Sequence, residues 1–286
     1  MATFTNQATL TYNNTQTLSN VTTGQILEQL TLEKMSLQQT YSAGERITYV
    51  VSLINSGTSD DNGLTLTDDL GAFTPAGQTD PVYPLTYDTG SAQVFVNGVP
   101  QTAVQVTGEE PLTIAGINVP AGGNVLVTYT AQVNGSAPLE SGSTIDNTVT
   151  ATGGSLAEPL TASESVSVSE APYLTVEKTL SPLTVTANQR ITYTFVISNY
   201  GNADADAGAN ASITDILTPS LTDLTVTYNG VLWTPGTEYT YSEESGIFTS
   251  TAGAITVPAA TYTTLFDGTV STTPGTSTLV LEGTVV

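Results

Sequence analysis

Cysteine and histidine are absent from this 286-residue chain, and only four basic residues stand against 26 acidic ones. The first absence removes disulfides, thiol nucleophiles, imidazole bases and the usual zinc or copper sites. The second leaves a formal net charge of -22, which repels phosphate backbones and anionic lipid headgroups and argues against nucleic acid or membrane surfaces as partners. No apolar run approaches the length of a membrane span, so membrane insertion is not expected. No basic segment followed by an apolar one opens the chain, so the expectation is a leader already removed or another route to the destination. What is abundant is Thr, Ser, Val and Tyr in short alternating runs punctuated by Gly, Pro, Asn and Asp, the pattern of an all-β protein.

The chain repeats itself. The segment "LTLEKMSLQQTYSAGERITYVVSLINSG" (30–57) aligns without a gap on "LTVEKTLSPLTVTANQRITYTFVISNYG" (174–201), so that Lys34 meets Lys178 and Arg46 meets Arg190. These four are the whole basic complement. "LTLTDDL" against "SITDILT" aligns Asp68 with Asp215. "VFVNGV" and "VTYNGV" carry Asn-Gly hairpin signals, and "INVPAGG" against "ITVPAAT" aligns Pro120 with Pro258. Period-2 alternation in runs such as "RITYVVSLIN" marks half-buried strands, and this many short strands with turn signals predicts two β-sandwiches in series.

The combination of Lys, Gly-x-x-Ile-Thr-Tyr, Asn-x-Gly, Thr-Asp-x-Leu, Val-Pro-Ala-Gly and Asn-Thr-Val-Thr resembles the bacterial surface repeat known as Domain of Unknown Function eleven. The resemblance spans both repeats. It implies Ig-like modules of a bacterial envelope protein, and two repeats in a 29.6 kDa chain are also similar to clostridial spore-appendage proteins, which are assembled inside the mother cell. The expected fold is therefore two tandem Ig-like sandwiches, at 29–170 and 171–286, preceded by an N-terminal donor strand within 1–28.

That donor strand is inferred from a mismatch. "MATFTNQATLTYNN" superposes on "STIDNTVTATGG" (143–154), setting Phe4, Asn6, Ala8 and Leu10 where Ile145, Asn147, Val149 and Ala151 stand. By the spacing from Pro120 to Asn147, the second repeat would need its Asn at the very end of the chain. Its terminal run "LVLEGTVV" offers Gly283 instead. A sandwich short of a strand exposes unpaired backbone, and a strand donated through Phe4, Asn6, Ala8 and Leu10 of another copy would satisfy it. Donor and acceptor at opposite ends make the contact head-to-tail, which predicts a homopolymeric filament. The bland alternative is a terminal segment that pairs within the first domain or stays disordered.

Lys34 and Lys178 lie in strand-like runs, where a buried ammonium must be paired or neutralised. The resemblance to Gram-positive surface Ig-like modules implies an isopeptide bond from Lys34 to Asn147, with Asp68 as the catalytic acid of this self-modification. The second repeat has Lys178 and Asp215 but no Asn, unless Asn6 of a neighbour supplies one. Against this stands the plain reading of lysines ion-paired to Asp68 or Glu33. Arg46 and Arg190 are expected to clamp loop carboxylates or carbonyls.

No catalytic motif acting on an external substrate is visible, so an enzyme is not expected. No cofactor is called for and no metal site is assigned. Calcium remains open at Asp60, Asp61, Asp204 and Asp206, which lack EF-hand spacing. The alternative function is a non-polymeric surface stalk or adhesin module binding a protein or glycan, the latter by stacking on Trp233, Tyr239 and Tyr241.

Overall fold

The computed structural model describes residues 2–26 and 29–286; Met1, Leu27 and Glu28 of the expected donor segment lie outside them. Apart from one 3-10 turn at Ala207–Ala209, the described regular structure is all strand. No helix among the described residues is long and apolar enough to cross a membrane.

Four strands open the chain: β1 (Ala2–Asn6), β2 (Thr9–Tyr12), β3 (Thr15–Leu18) and β4 (Thr22–Ile26). The expectation of one donor strand is corrected here, because β1 pairs with β4 and β2 with β3 to make one long antiparallel hairpin. At its tip Asn13 and Asn14 both take positive φ, 43° and 60°, as a two-residue hairpin turn requires and Asn tolerates. Gly24 faces the Phe4 ring so closely that a Cβ there would lie 2.3 Å from it. Among the described residues neither edge of this hairpin pairs with another strand, and Phe4, Leu10, Tyr12, Leu18 and Val21 are all exposed.

The first sandwich runs through β5 (Leu30–Ser36), β6 (Thr40–Tyr41), β7 (Arg46–Asn55), β8 (Asp61–Asp68), β9 (Leu85–Tyr87), β10 (Gln93–Val96), β11 (Val99–Pro100), β12 (Gln105–Glu109), β13 (Leu112–Val119), β14 (Asn124–Val133), β15 (Thr144–Gly153) and β16 (Leu160–Val168). One sheet has the order β11-β10-β14-β7-β5, with β9 also on β14; the facing sheet has the order β12-β13-β8-β15-β16-β6. Alternation does what the sequence pattern predicts. Along β7, Ile47, Tyr49, Val51 and Leu53 point into the core and their neighbours point out.

The second sandwich contains β17 (Leu174–Ser181), β18 (Arg190–Asn199), β19 (Thr214–Ile216), β20 (Leu221–Tyr228), β21 (Val231–Leu232), β22 (Tyr239–Tyr241), β23 (Ile247–Ser250), β24 (Thr261–Thr264), β25 (Val270–Thr273) and β26 (Gly275–Val285). Its complete sheet, β17-β18-β26-β20-β21, repeats the first sheet of its predecessor. The facing sheet is cut to β19-β23-β22. The Asn-Gly turns recur, with Asn97 and Gly98 at φ 48° and 79°, and Asn229 and Gly230 at 49° and 79°. Asn55 and Asn199, which begin the two Asn-x-Gly motifs, each accept from the glycine two residues on and donate to a carbonyl across the sandwich, that of Val119 on β13 or that of Val257, which bridges Ala205. Asn202 ties the domains together by donating to the carbonyls of Leu139 and Ser169.

Candidate functional site

In the first sandwich the predicted trio converges on a fourth residue that the sequence reading did not name. Lys34 faces inward from β5, Asp68 ends β8 on the opposite sheet, Tyr129 lies mid-β14 and Asn147 faces inward from β15. Lys34 Nζ lies 2.6 Å from Asp68 Oδ2, with both side chains sealed from solvent. The Tyr129 hydroxyl donates to the same Oδ2 at 2.6 Å and accepts from Asn147 Nδ2 at 3.1 Å. Asn147 thus reaches Lys34 through Tyr129 and Asp68, while its own Oδ1 is buried with no hydrogen-bond partner.

Burial controls the chemistry of this cluster. It draws the Lys34 ammonium below its ordinary pKa, against the opposing pull of the Asp68 carboxylate. It also pushes the Tyr129 hydroxyl well above the usual tyrosine range, with Asp68 adding to the effect. Tyr49 stacks on Tyr129 at 5.4 Å and sits 4.8 Å from Lys34 Nζ. Its own hydroxyl is buried, unpartnered and likewise pushed upward by desolvation. Glu164 on β16 closes the site from outside, accepting from the Ser36 amide and hydroxyl.

The second sandwich holds the same pair without its cover. Lys178 pairs with Asp215 and lies 4.5 Å from the Tyr193 ring. Its side chain is 39% exposed where that of Lys34 is 0% exposed. The cause is the loss of two strands. Arg46 faces Gln132 across β7 and β14, and Arg190 faces Thr284 across β18 and β26. The terminal strand β26 therefore corresponds to β14, and no described strand corresponds to β15 or β16. Of the two alignments of the ending, the one that allows a shorter loop and sets "LVLEGTVV" in the last strand's place, with Gly283 where Asn147 stands, does not hold. The spacing misled because the hairpin β24–β25 is inserted after Pro258, where the first sandwich has only a short turn. The same register puts Leu281 where Tyr129 stands, a signal that would have pointed to Tyr129 had the insertion been recognised.

Without a β15 counterpart, β19 pairs with β23 alone among the described residues. Without a β16 counterpart, β17 loses its lid. Val176 and Ile216 are about 60% exposed, at 59% and 62%. Among the predicted donor residues, Phe4 and Asn6 lie on β1, Leu10 on β2 and Ala8 between them. Phe4 and Leu10 are 54% and 63% exposed.

Other expected sites resolve differently. Trp233, at 8% exposure, stacks on Tyr228 at 5.1 Å inside the second core, and Tyr239 is buried against Phe248. Tyr241 spends its hydroxyl on Leu221, so the proposed sugar-stacking patch is core. Asp60, Asp61, Asp204 and Asp206 accept from backbone amides of Ala121, Ser155, Ala259 and Gly208; no group of three metal-binding side chains gathers among the described residues. Arg46 pairs with Asp88 as a loop clamp. Arg190 instead pairs with Glu282 on the neighbouring strand β26.

No protein-family model and no curated protein matches the chain. Solved structures similar to it include BcpA, the major pilin subunit of Bacillus cereus, at 12% identity and TM-score 0.38, covering 95% of this chain and 73% of that one. The pilus backbone RrgB of Streptococcus pneumoniae matches at 10% and 0.33, covering 86% of this chain and 55% of that one. The collagen adhesin CNA of S. aureus matches at 12% and 0.31, covering 55% of each chain. The chain thus spans about half the length of the last two. Identities and scores of this size assign no role.

Proposed function

We propose that this protein is a structural subunit that assembles head-to-tail into a filament on a bacterial cell or spore surface. In this reading the N-terminal segment of one copy completes the second sandwich of the next. The observation that carries it is a pair of matching defects among the described residues: a second sandwich without β15 and β16 counterparts, and a hairpin at residues 2–26 that pairs with no other sheet. A two-stranded hairpin alone is marginally stable in water, and an open β edge beside exposed apolar side chains is a ready template for pairing. Because the hairpin and the open edge are different surfaces of one chain, the contact is heterologous, each addition leaves a new pair, and growth continues.

The buried Lys34, Asp68, Tyr129 and Asn147 cluster supports an internal amide bond in the first sandwich. The lowered Lys34 pKa favours the neutral amine, and Asn147, held by the Tyr129 hydroxyl, leaves its buried Oδ1 open to a hydrogen-bond donor. A chain without cysteine would gain a crosslink insensitive to reductants.

The test is assembly of the full chain against a chain lacking residues 2–26, read by electron micrographs and size-exclusion chromatography. Filaments from the first and folded monomers from the second are expected. Filaments of unchanged appearance after the deletion, or no assembly by the full chain at any concentration, would remove the reading.

A further inference from the structure

We propose that the β24–β25 hairpin is a strut that locks the two sandwiches of one copy into a single rigid rod, so that a filament bends only where one copy meets the next. The rod follows from contacts within the chain, and the bending pattern rests on the head-to-tail reading above.

The hairpin is an insertion that adds nothing to the core of its own sandwich. Strand register sets Asn124 of β14, opposite Ile54, against Thr276 of β26, opposite Ser198. Pro120 stands four residues before the first and Pro258 eighteen before the second. The extra length builds β24 and β25, and no residue of either strand belongs to the buried core of the second sandwich. The one buried residue of the hairpin is Gly268, at its turn. What covers it is the first sandwich: a Cβ there would lie 2.5 Å from Val82 Cγ2, and φ is 84°, so glycine is required twice over. Both ends of the hairpin are pinned. At the base, the Tyr262 hydroxyl donates to the Tyr200 carbonyl at 2.9 Å and the Ala260 amide to the Gly201 carbonyl at 2.8 Å. At the far end, the Val270 amide donates at 2.8 Å to the Gly135 carbonyl of the first sandwich.

A second anchor stands on a different element. Asn202, in the loop after β18, donates to the Leu139 and Ser169 carbonyls, both at 3.1 Å, and accepts from the Ala171 amide. One such anchor would leave the sandwiches free to turn about it, the ordinary behaviour of domains joined by a small polar contact. Two anchors on separate elements fix the angle without a packed interface, and crevices of about 270 and 500 Å³ remain open beside them. The first sandwich offers neither anchor to a copy preceding it. Asn202 corresponds to Thr58 in the ungapped repeat, and a hydroxyl has one donor where an amide has two. The strut corresponds to residues 121–123, a tight turn in which the Gly123 amide donates to the Pro120 carbonyl. The joint between copies is therefore a hinge, and the joint within a copy is not.

Two variants test the strut. Val270→Pro removes the amide that reaches Gly135, on a two-stranded hairpin whose strands are both edges and accept proline. Deletion of residues 261–273 removes the strut and leaves a short turn like that of the first sandwich. The chain has no native cysteine, so spin labels at Thr161→Cys and Thr225→Cys, exposed positions on β16 and β20, report the distance between the sandwiches in copies diluted into unlabelled protein. One narrow distance is expected with the strut present and a broad distribution in both variants, with the melting of each sandwich unchanged. A broad distribution with the strut present, or a narrow one after its deletion, would overturn the strut, whether or not filaments form. In filaments the deletion turns one hinge per copy into two similar ones, so the persistence length read from micrographs should fall about two-fold. An unchanged persistence length, with the distance distribution broadened, would overturn the bending pattern and leave the strut standing.

Discussion

At the scale of single residues, the decisive contrast is between two lysines with equivalent aspartate partners and different burial. Lys34 and Asp68 are held in a dry cluster by Tyr129, which bonds both the carboxylate and Asn147. Removing that hydroxyl by Tyr129→Phe leaves buried polar groups short of a partner and should cost about 1–3 kcal/mol. Chemical denaturation of the first sandwich reads this, and an unchanged midpoint would show that the bridge contributes nothing. The same variant tests the pH dependence. Unfolded tyrosines ionise near 10.0, whereas the folded Tyr129 keeps its proton to much higher pH. Above that value the folded state binds more protons than the unfolded one, so stability falls as pH rises. Tyr129→Phe should make this decline shallower by about 1.4 kcal/mol per pH unit. Lys34 acts in the other direction in the uncrosslinked chain, where its amine is free. Its lowered pKa means the folded state binds fewer protons, so its contribution weakens as pH falls below 10.5.

At the scale of elements, strands and turns follow local pattern closely. The β10–β11 and β20–β21 hairpins turn at Asn-Gly with positive φ at both positions. Gly98→Ala and Gly230→Ala should each cost about 1–2 kcal/mol through the left-handed backbone alone, visible as a lower melting temperature of the sandwich concerned. Equal melting of wild type and variants would mean these turns relax freely. The N-terminal hairpin shows where local pattern stops being sufficient. Alternation identifies Phe4, Asn6 and Leu10 as one face, but pairing of β1 with β4 depends on the Asn13-Asn14 turn, whose flanks read equally well as a linker.

At the scale of the whole molecule, the two sandwiches should differ in stability, because the second buries less of its β17 and β19 faces. A synthetic peptide of residues 2–26, added to the chain lacking them, should raise the melting temperature of the second sandwich and leave the first unmoved, as expected for a ligand that binds only the folded state. An equal shift in both, or none, would count against specific completion. A net charge of -22 per copy opposes association, so assembly followed by light scattering should speed up with added salt as repulsion is screened. Faster assembly at low salt would require a charge pairing between copies that the geometry does not offer.

Composition and periodicity by themselves determined the all-β class, the tandem sandwiches and the Asn-Gly turns, because each of these depends on neighbours in the chain or on an ungapped repeat; that Lys34 pairs with Asp68 and not with Glu33 was decided by the fold. Only the tertiary structure decided that two strands rather than one are missing from the second sandwich. The inserted β24–β25 hairpin breaks the spacing from which the ending was read. Tyr129, Glu164 and the buried Trp233 were likewise beyond one-dimensional reach. Their roles arise where facing sheets close over each other, and that meeting depends on which strands cover which, a property of packing and not of local order.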